Sequence, residues 1–159
     1  MSQIPTSSGR NHFNLEIASI STCNMACTYC FEGDELKSKK KQPTQNIEHI
    51  ISKMETLLTD QKFMSIYNGI CLNFWGGEPT LNYEWNKELI TQTKIKFPGL
   101  VSYFFYSNGY SLEKVRRHLD LFSENEHEDN TIRLQISWDG VSNGRVNHSN
   151  EATNDKVQD

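Results

Sequence analysis

FNLEIASISTCNMACTYC, residues 13–30, is the stretch on which the reading turns. Its first half carries apolar side chains at Phe13, Leu15 and Ile17, followed by Ala18 and Ile20, and reads as a buried β-strand. Its second half places Cys23, Cys27 and Cys30 within eight residues, directly behind that strand. Three soft thiolates on one tight loop suit an iron–sulfur cluster or zinc. A structural zinc site needs a fourth close ligand, and His12 and His49, the nearest histidines, have no motif spacing. A four-iron cluster on three cysteines instead leaves one iron open to a small molecule, so the count favours a reactive cluster. The fourth cysteine, Cys71, lies inside a predicted strand and reads as core.

Outward from this stretch the pattern alternates. Residues 31–45 are polar and lysine-rich, a loop ended by Pro43 and a capping Thr44. Ile47, Ile50, Ile51, Met54, Leu57 and Leu58 then recur at helical spacing. Ile70–Trp75 predicts a second strand ending in Gly76-Gly77, and Trp85, Leu89 and Ile90 a helix that stops before Pro98. Leu100–Tyr106 predicts a third strand, halted by Asn108-Gly109, and Ser111 caps a helix carrying Leu112, Val115, Leu119 and Phe122. Thr131–Trp138 predicts a fourth strand, closed by Asp139-Gly140. Alternating strands and helices imply βα units and a mainly parallel sheet. Residues 1–148 form the expected core, and 149–159 an expected polar, frayed tail.

Each unusual cluster falls at the C-terminal end of a predicted strand, the edge where parallel α/β sheets and barrels bind ligands. The cysteines follow strand one, Gly76-Gly77-Glu78-Pro79 strand two, Ser107-Asn108-Gly109 strand three, and Ser137-Trp138-Asp139-Gly140 strand four. Taken singly they are unremarkable: a glycine pair is usually a turn, Glu78 a surface carboxylate, Ser137 or Asp139 a helix cap. Only their common edge makes them a site. There Tyr29 offers an aromatic face. Gly76 and Gly77 let a ligand approach the backbone. Glu78 can accept from a cationic group, and Ser137 offers a hydroxyl.

Composition narrows the class. Of 159 residues, 36% are apolar and 23% charged, and the net charge is −4, a globular balance without a basic field for nucleic acid. The lysines at 37, 39, 40 and 41 read as a solvated loop. No stretch approaches the roughly 20 apolar residues of a membrane span, and residues 1–10 lack a signal-peptide core. A cytoplasmic location is expected, where reduced thiols disfavour a disulfide framework.

Cys23-Asn-Met-Ala-Cys27-Thr-Tyr-Cys30-Phe resembles the signature of the radical S-adenosylmethionine (SAM) superfamily. Asn24, Tyr29 and Phe31 resemble its sulfatase-maturating and peptide-modifying branch, as do Phe74-Trp75-Gly76-Gly77-Glu78-Pro79-Thr80-Leu81 and Ser137-Trp138-Asp139-Gly140. The resemblance spans residues 13–148. It implies an α/β fold, a partial (βα) barrel of which about four units are present. It implies a [4Fe-4S] cluster on the three cysteines and SAM held at Tyr29, Gly77 and Ser137. The expected activity is reductive cleavage of SAM for hydrogen abstraction from a peptide or protein, with an external one-electron reductant. A cluster protein for electron transfer or partner binding is the alternative.

A full eight-unit barrel takes about 250 residues, so the chain reads either as part of a longer enzyme or as a short form completed by self-association or a partner. The relatives' continuation after Ser-x-Asp-Gly is replaced here by Val141-Ser-Asn-Gly-Arg145-Val-Asn-His148, which leaves the roles of Arg145 and His148 open.

Overall fold

In the computed structural model, residues 11–30, 33, 45–123 and 132–137 are described. Four strands alternate with helices: β1 (His12–Ile20), α1 (Ile47–Thr59), α2 (Gln61–Ile66), β2 (Gly69–Gly76), a 3-10 turn (Pro79–Leu81), α3 (Tyr83–Lys96), β3 (Val101–Ser107), α4 (Leu112–Ser123) and β4 (Ile132–Ile136). Neighbouring strands pair in parallel, in the order β1-β2-β3-β4. A spatial order that follows chain order belongs to a segment of a (βα) barrel, whereas a doubly wound sheet reverses direction part-way.

The register sorts the two faces of the sheet. Ile17 pairs with Phe74 and Phe74 with Phe105, so these side chains share one face. There they form the core with Leu72 and Tyr103 from the sheet, Ile50, Ile51 and Met54 from α1, and Leu89 and Ile90 from α3. The Phe74 and Phe105 rings stack 4.2 Å apart and nearly parallel. Burying each large apolar side chain contributes about 2 kcal/mol. Cys71, read from sequence as core, is buried, its thiol donating to the Asn73 side chain at 3.3 Å. The other face carries Glu16, Asn73, Phe104 and Arg133 in register, with Asn73 Nδ2 donating to Glu16 at 2.8 Å.

Helix α1 begins at Asn46, whose side chain accepts from the His49 N–H at 3.0 Å, rather than at the expected cap Thr44. An Asn at the start position satisfies one of the first turn's orphan donors as well as a threonine would. Helix α2 was not foreseen. It is a short turn whose cap, Asp60, accepts from Phe63 N at 2.8 Å. Ser111 stands before α4 with Lys114 N at 3.5 Å from its hydroxyl. No described helix is long and apolar enough to cross a membrane. The lysine cluster at 37–41, Phe31, Pro43, Thr44, the Trp138–Gly140 motif, Arg145, His148 and the tail lie outside the described residues.

Candidate functional site

The glycine pair shows how the site is built. Strand β1 bulges between Ala18 and Ile20, and beyond the bulge its backbone stays on β2: Gly77 N donates to Ile20 O at 3.0 Å and Glu78 N to Thr22 O at 2.9 Å. This run of bonds leads straight into Cys23. A Cβ added at Gly77 would collide with the Thr22 carbonyl, and one at Gly76, where φ is +110°, with the Ile20 carbonyl. The close approach expected at these glycines is therefore made, and what makes it is the backbone of the cysteine loop. Asn82 adds a tie, donating to Ser19 O at 2.6 Å.

Glu78 is buried, not a surface carboxylate. It accepts from Thr80 N and Thr80 Oγ1, from Ser107 Oγ at 2.9 Å and from Asn108 N at 2.7 Å. A buried charge is tolerated only when donors surround it. Here those donors come from the ends of two different strands, so the carboxylate clamps the end of β2 to the end of β3.

Asn108, read from sequence as half of a turn, proves to be a site residue. Its Oδ1 accepts from Tyr110 N at 2.9 Å, which orients the amide, and its Nδ2 faces Asn24 Oδ1 at 2.8 Å and Cys23 Sγ at 3.5 Å. Cys23 Sγ also accepts from Met25 N at 3.4 Å. Burial pushes the Cys23 thiol up to about 11; the Met25 N–H opposes this and the Glu78 charge adds to it.

The three cysteines lie on one loop, each partly accessible and none in a disulfide, and the loop is wound by Cys30 N donating to Cys27 O at 3.2 Å. Among the described residues no three His, Cys, Asp or Glu side chains converge as they would on a single ion. A cubane holds each thiolate on a separate iron, so its ligands stand wider apart than those of one ion. With N–H donors already aimed at Cys23 Sγ, the donor set fits a cluster.

Beside this loop opens a cleft of about 420 Å³, lined by Glu16, Trp75, Gly76, Gly77, Glu78, Tyr106, Ser107, Asn108 and Ser137. It thus brings together four of the five residues read from sequence as cofactor contacts. Ser137 reaches it because its N–H donates to Ser107 O at 2.9 Å, extending the β3–β4 ladder, and its side chain is exposed. The fifth, Tyr29, is 55% exposed and does not line the cleft. Glu16 and Trp75 were given no role in the sequence, whereas Tyr106 belongs to the Tyr103–Tyr106 strand run, one face of which was open to lining the pocket. Their signal was the alternation along each strand, which puts them on the face opposite the core.

Comparison with known proteins places this arrangement. Residues 17–158 match the Radical SAM superfamily. The chain belongs to that superfamily. Radical SAM proteins use a [4Fe-4S] cluster and SAM, and these are the cofactors assigned here. A curated relative, the S-adenosylmethionine-dependent nucleotide dehydratase of Psychrobacter lutiphocae, is 27% identical over 118 residues, covering 62% of this chain and 40% of the relative. Two solved structures of native anSMEcpe, one with bound AdoMet and the Cp18Cys peptide and one with bound AdoMet, superpose with TM-scores of 0.59 at 21% and 22% identity. Each match covers 91% of this chain, and 37% or 38% of the solved one. This radical SAM chain therefore spans about two fifths of the length of these relatives, and the shared architecture is the partial (βα) barrel.

Proposed function

We propose that this chain is the cofactor-binding part of an enzyme that cleaves SAM reductively and abstracts hydrogen from a substrate held against the open face of the sheet. The observation that carries the reading is the backbone ladder joining Gly77 and Glu78 to the cysteine loop at the rim of the cleft. In this reading Cys23, Cys27 and Cys30 would hold the cluster. When bound, the cluster would supply SAM with one electron from an external reductant, the chemistry of reductive carbon–sulfur cleavage that leads to hydrogen abstraction from the substrate. Gly76 and Gly77 border the place for the amino-acid end of SAM, with the Glu78 charge beside them for its ammonium group. Ser137 serves a ribose hydroxyl, and Tyr29, exposed on the cysteine loop outside the cleft, meets the adenine only if its ring turns toward that cleft.

For the substrate, the sequence-level relative favours a nucleotide, since the solved structures share the fold at lower identity. The peptide expected from motif resemblance is the second reading; a peptide accompanies AdoMet in one of those structures.

The test is anaerobic reconstitution with iron and sulfide, then dithionite, SAM and detection of 5′-deoxyadenosine. Product that disappears in Cys27→Ala supports the reading; a reducible cluster that never cleaves SAM contradicts it for this chain. A panel of nucleotides and cysteine-containing peptides, each deuterated at carbon, separates the substrate classes by which one passes deuterium to 5′-deoxyadenosine.

A further inference from the structure

We propose that Asn108 is a positioning residue for the cluster, donating its side-chain N–H to the Cys23 thiolate and raising the potential at which the cluster is reduced. The inference rests on the cluster reading above.

The geometry leaves the amide one orientation. Asn108 Oδ1 is occupied by the Tyr110 N–H at 2.9 Å, so Nδ2 must face the cysteine loop, where Cys23 Sγ lies at 3.5 Å and Asn24 Oδ1 at 2.8 Å. An amide nitrogen has two hydrogens, one for each acceptor. The backbone of Asn108 is pinned as well, because its N–H is bonded to Glu78 Oε2 at 2.7 Å, and Glu78 is itself held by Thr80 and Ser107. Asn108 thus stands on β3's end and reaches the first cysteine of a loop that follows β1, two strands away.

Sulfur–hydrogen bonds set the potential of iron–sulfur clusters, since a donor withdraws negative charge from the thiolate and stabilises the reduced, more negative state. Glu78 acts oppositely through its charge, and Asn108 N–H groups stand at both: the backbone one at the carboxylate and the side-chain one at the sulfur. Losing the side-chain donor leaves the buried Glu78 charge less opposed.

The test is an EPR-monitored redox titration of reconstituted wild type, Asn108→Asp and Asn108→Leu, with iron and acid-labile sulfide measured on each. Asp keeps the acceptor for Tyr110 N and loses the N–H but adds charge; Leu loses both contacts and adds none. Both variants should load like wild type and reduce at a lower potential. The expected shift is about a tenfold fall in the reduced-to-oxidised ratio at fixed potential, or about 59 mV for one electron. Fully loaded variants with unshifted potentials overturn the inference alone, and a wild-type chain that takes up no cluster overturns both readings. Should neither variant load, electron–nuclear double resonance on Asn24→Asp decides, with asparagine labelled by ¹⁵N in its side-chain amide. That substitution keeps the acceptor facing Asn108 and removes the other labelled amide near Cys23. A coupled nitrogen on the reduced cluster supports the contact, and none overturns it.

Discussion

The two ends of the cleft are built differently. At the β1–β2 end, glycines pack backbone on backbone, a buried carboxylate gathers donors from two strand ends, and the cysteine loop cannot move without breaking the ladder. At the β4 end, Ser137 N donates to Ser107 O on the neighbouring strand and the residue is exposed, as are Arg133, Gln135 and Ile136 before it. The difference teaches that one motif residue can be indispensable to the fold and another nearly silent in it, although both border the same cleft. Substitutions at the first end will mix folding with function, whereas those at the second will report binding alone.

The sharpest way to break this contrast is Gly77→Ala. A methyl cannot fit against the Thr22 carbonyl, so the ladder must open, with an expected loss of roughly 4 kcal/mol or more. Urea denaturation measures it, and a loss under 1 kcal/mol would remove the structural role assigned to this glycine. Glu78→Gln comes next. It turns an acceptor into a partial donor facing Thr80 N, Ser107 Oγ and Asn108 N, at an expected cost of about 3 kcal/mol. Differential scanning calorimetry before any cofactor is added reads the cost directly.

A smaller effect tests the layer beneath that end. His118 is buried between α3 and α4, where Asn86 Nδ2 lies 3.1 Å from its Nε2 and the Lys114 carbonyl 2.8 Å from its Nδ1. Burial lowers its pKa below the usual histidine range, with the Lys114 hydrogen bond opposing. As pH falls, the unfolded chain takes up the proton first. The contribution is therefore full above the ordinary value near 6.5 and is lost as pH drops through the folded value. The Tm should fall on acidification below about pH 6.5, and His118→Gln should flatten that limb of the Tm–pH curve. The least disturbance is expected from Ser137→Ala. Its stability should stay within about 0.5 kcal/mol of wild type, while SAM affinity, measured by equilibrium dialysis, should weaken several-fold. Equal losses of stability and affinity would erase the contrast between the two ends.

Much of the fold was legible because period and punctuation are local. Strands β1, β2 and β3 lie within a residue or so of their predicted bounds, and α1 shows its apolar stripe directly. Helix α3 was harder. It buries Asn86 and Thr93 beside Leu89 and Ile90; Asn86 Nδ2 donates to Pro79 O and Thr93 Oγ1 lies 3.0 Å from the Tyr103 hydroxyl, partners far enough along the chain to leave no periodic trace. Helix α2 is too short to show a period at all. At the site, the cysteines, Gly76-Gly77-Glu78 and Ser137 were found by motif and by their shared sheet edge. Asn108 was placed on that edge but given no role of its own, because an Asn-Gly pair after a strand is most often a turn.

What the sequence by itself determined is the alternation of elements, the edge on which the chemistry gathers and the identity of the thiolates, because each depends on residue type and spacing along the chain. Only the tertiary structure decided that the glycines make room for the cysteine loop, that Glu78 faces inward as a clamp between strands, and that Asn108 reaches Cys23. Those contacts join residues tens of positions apart, and their energies depend on distance and burial in space, which no local pattern encodes.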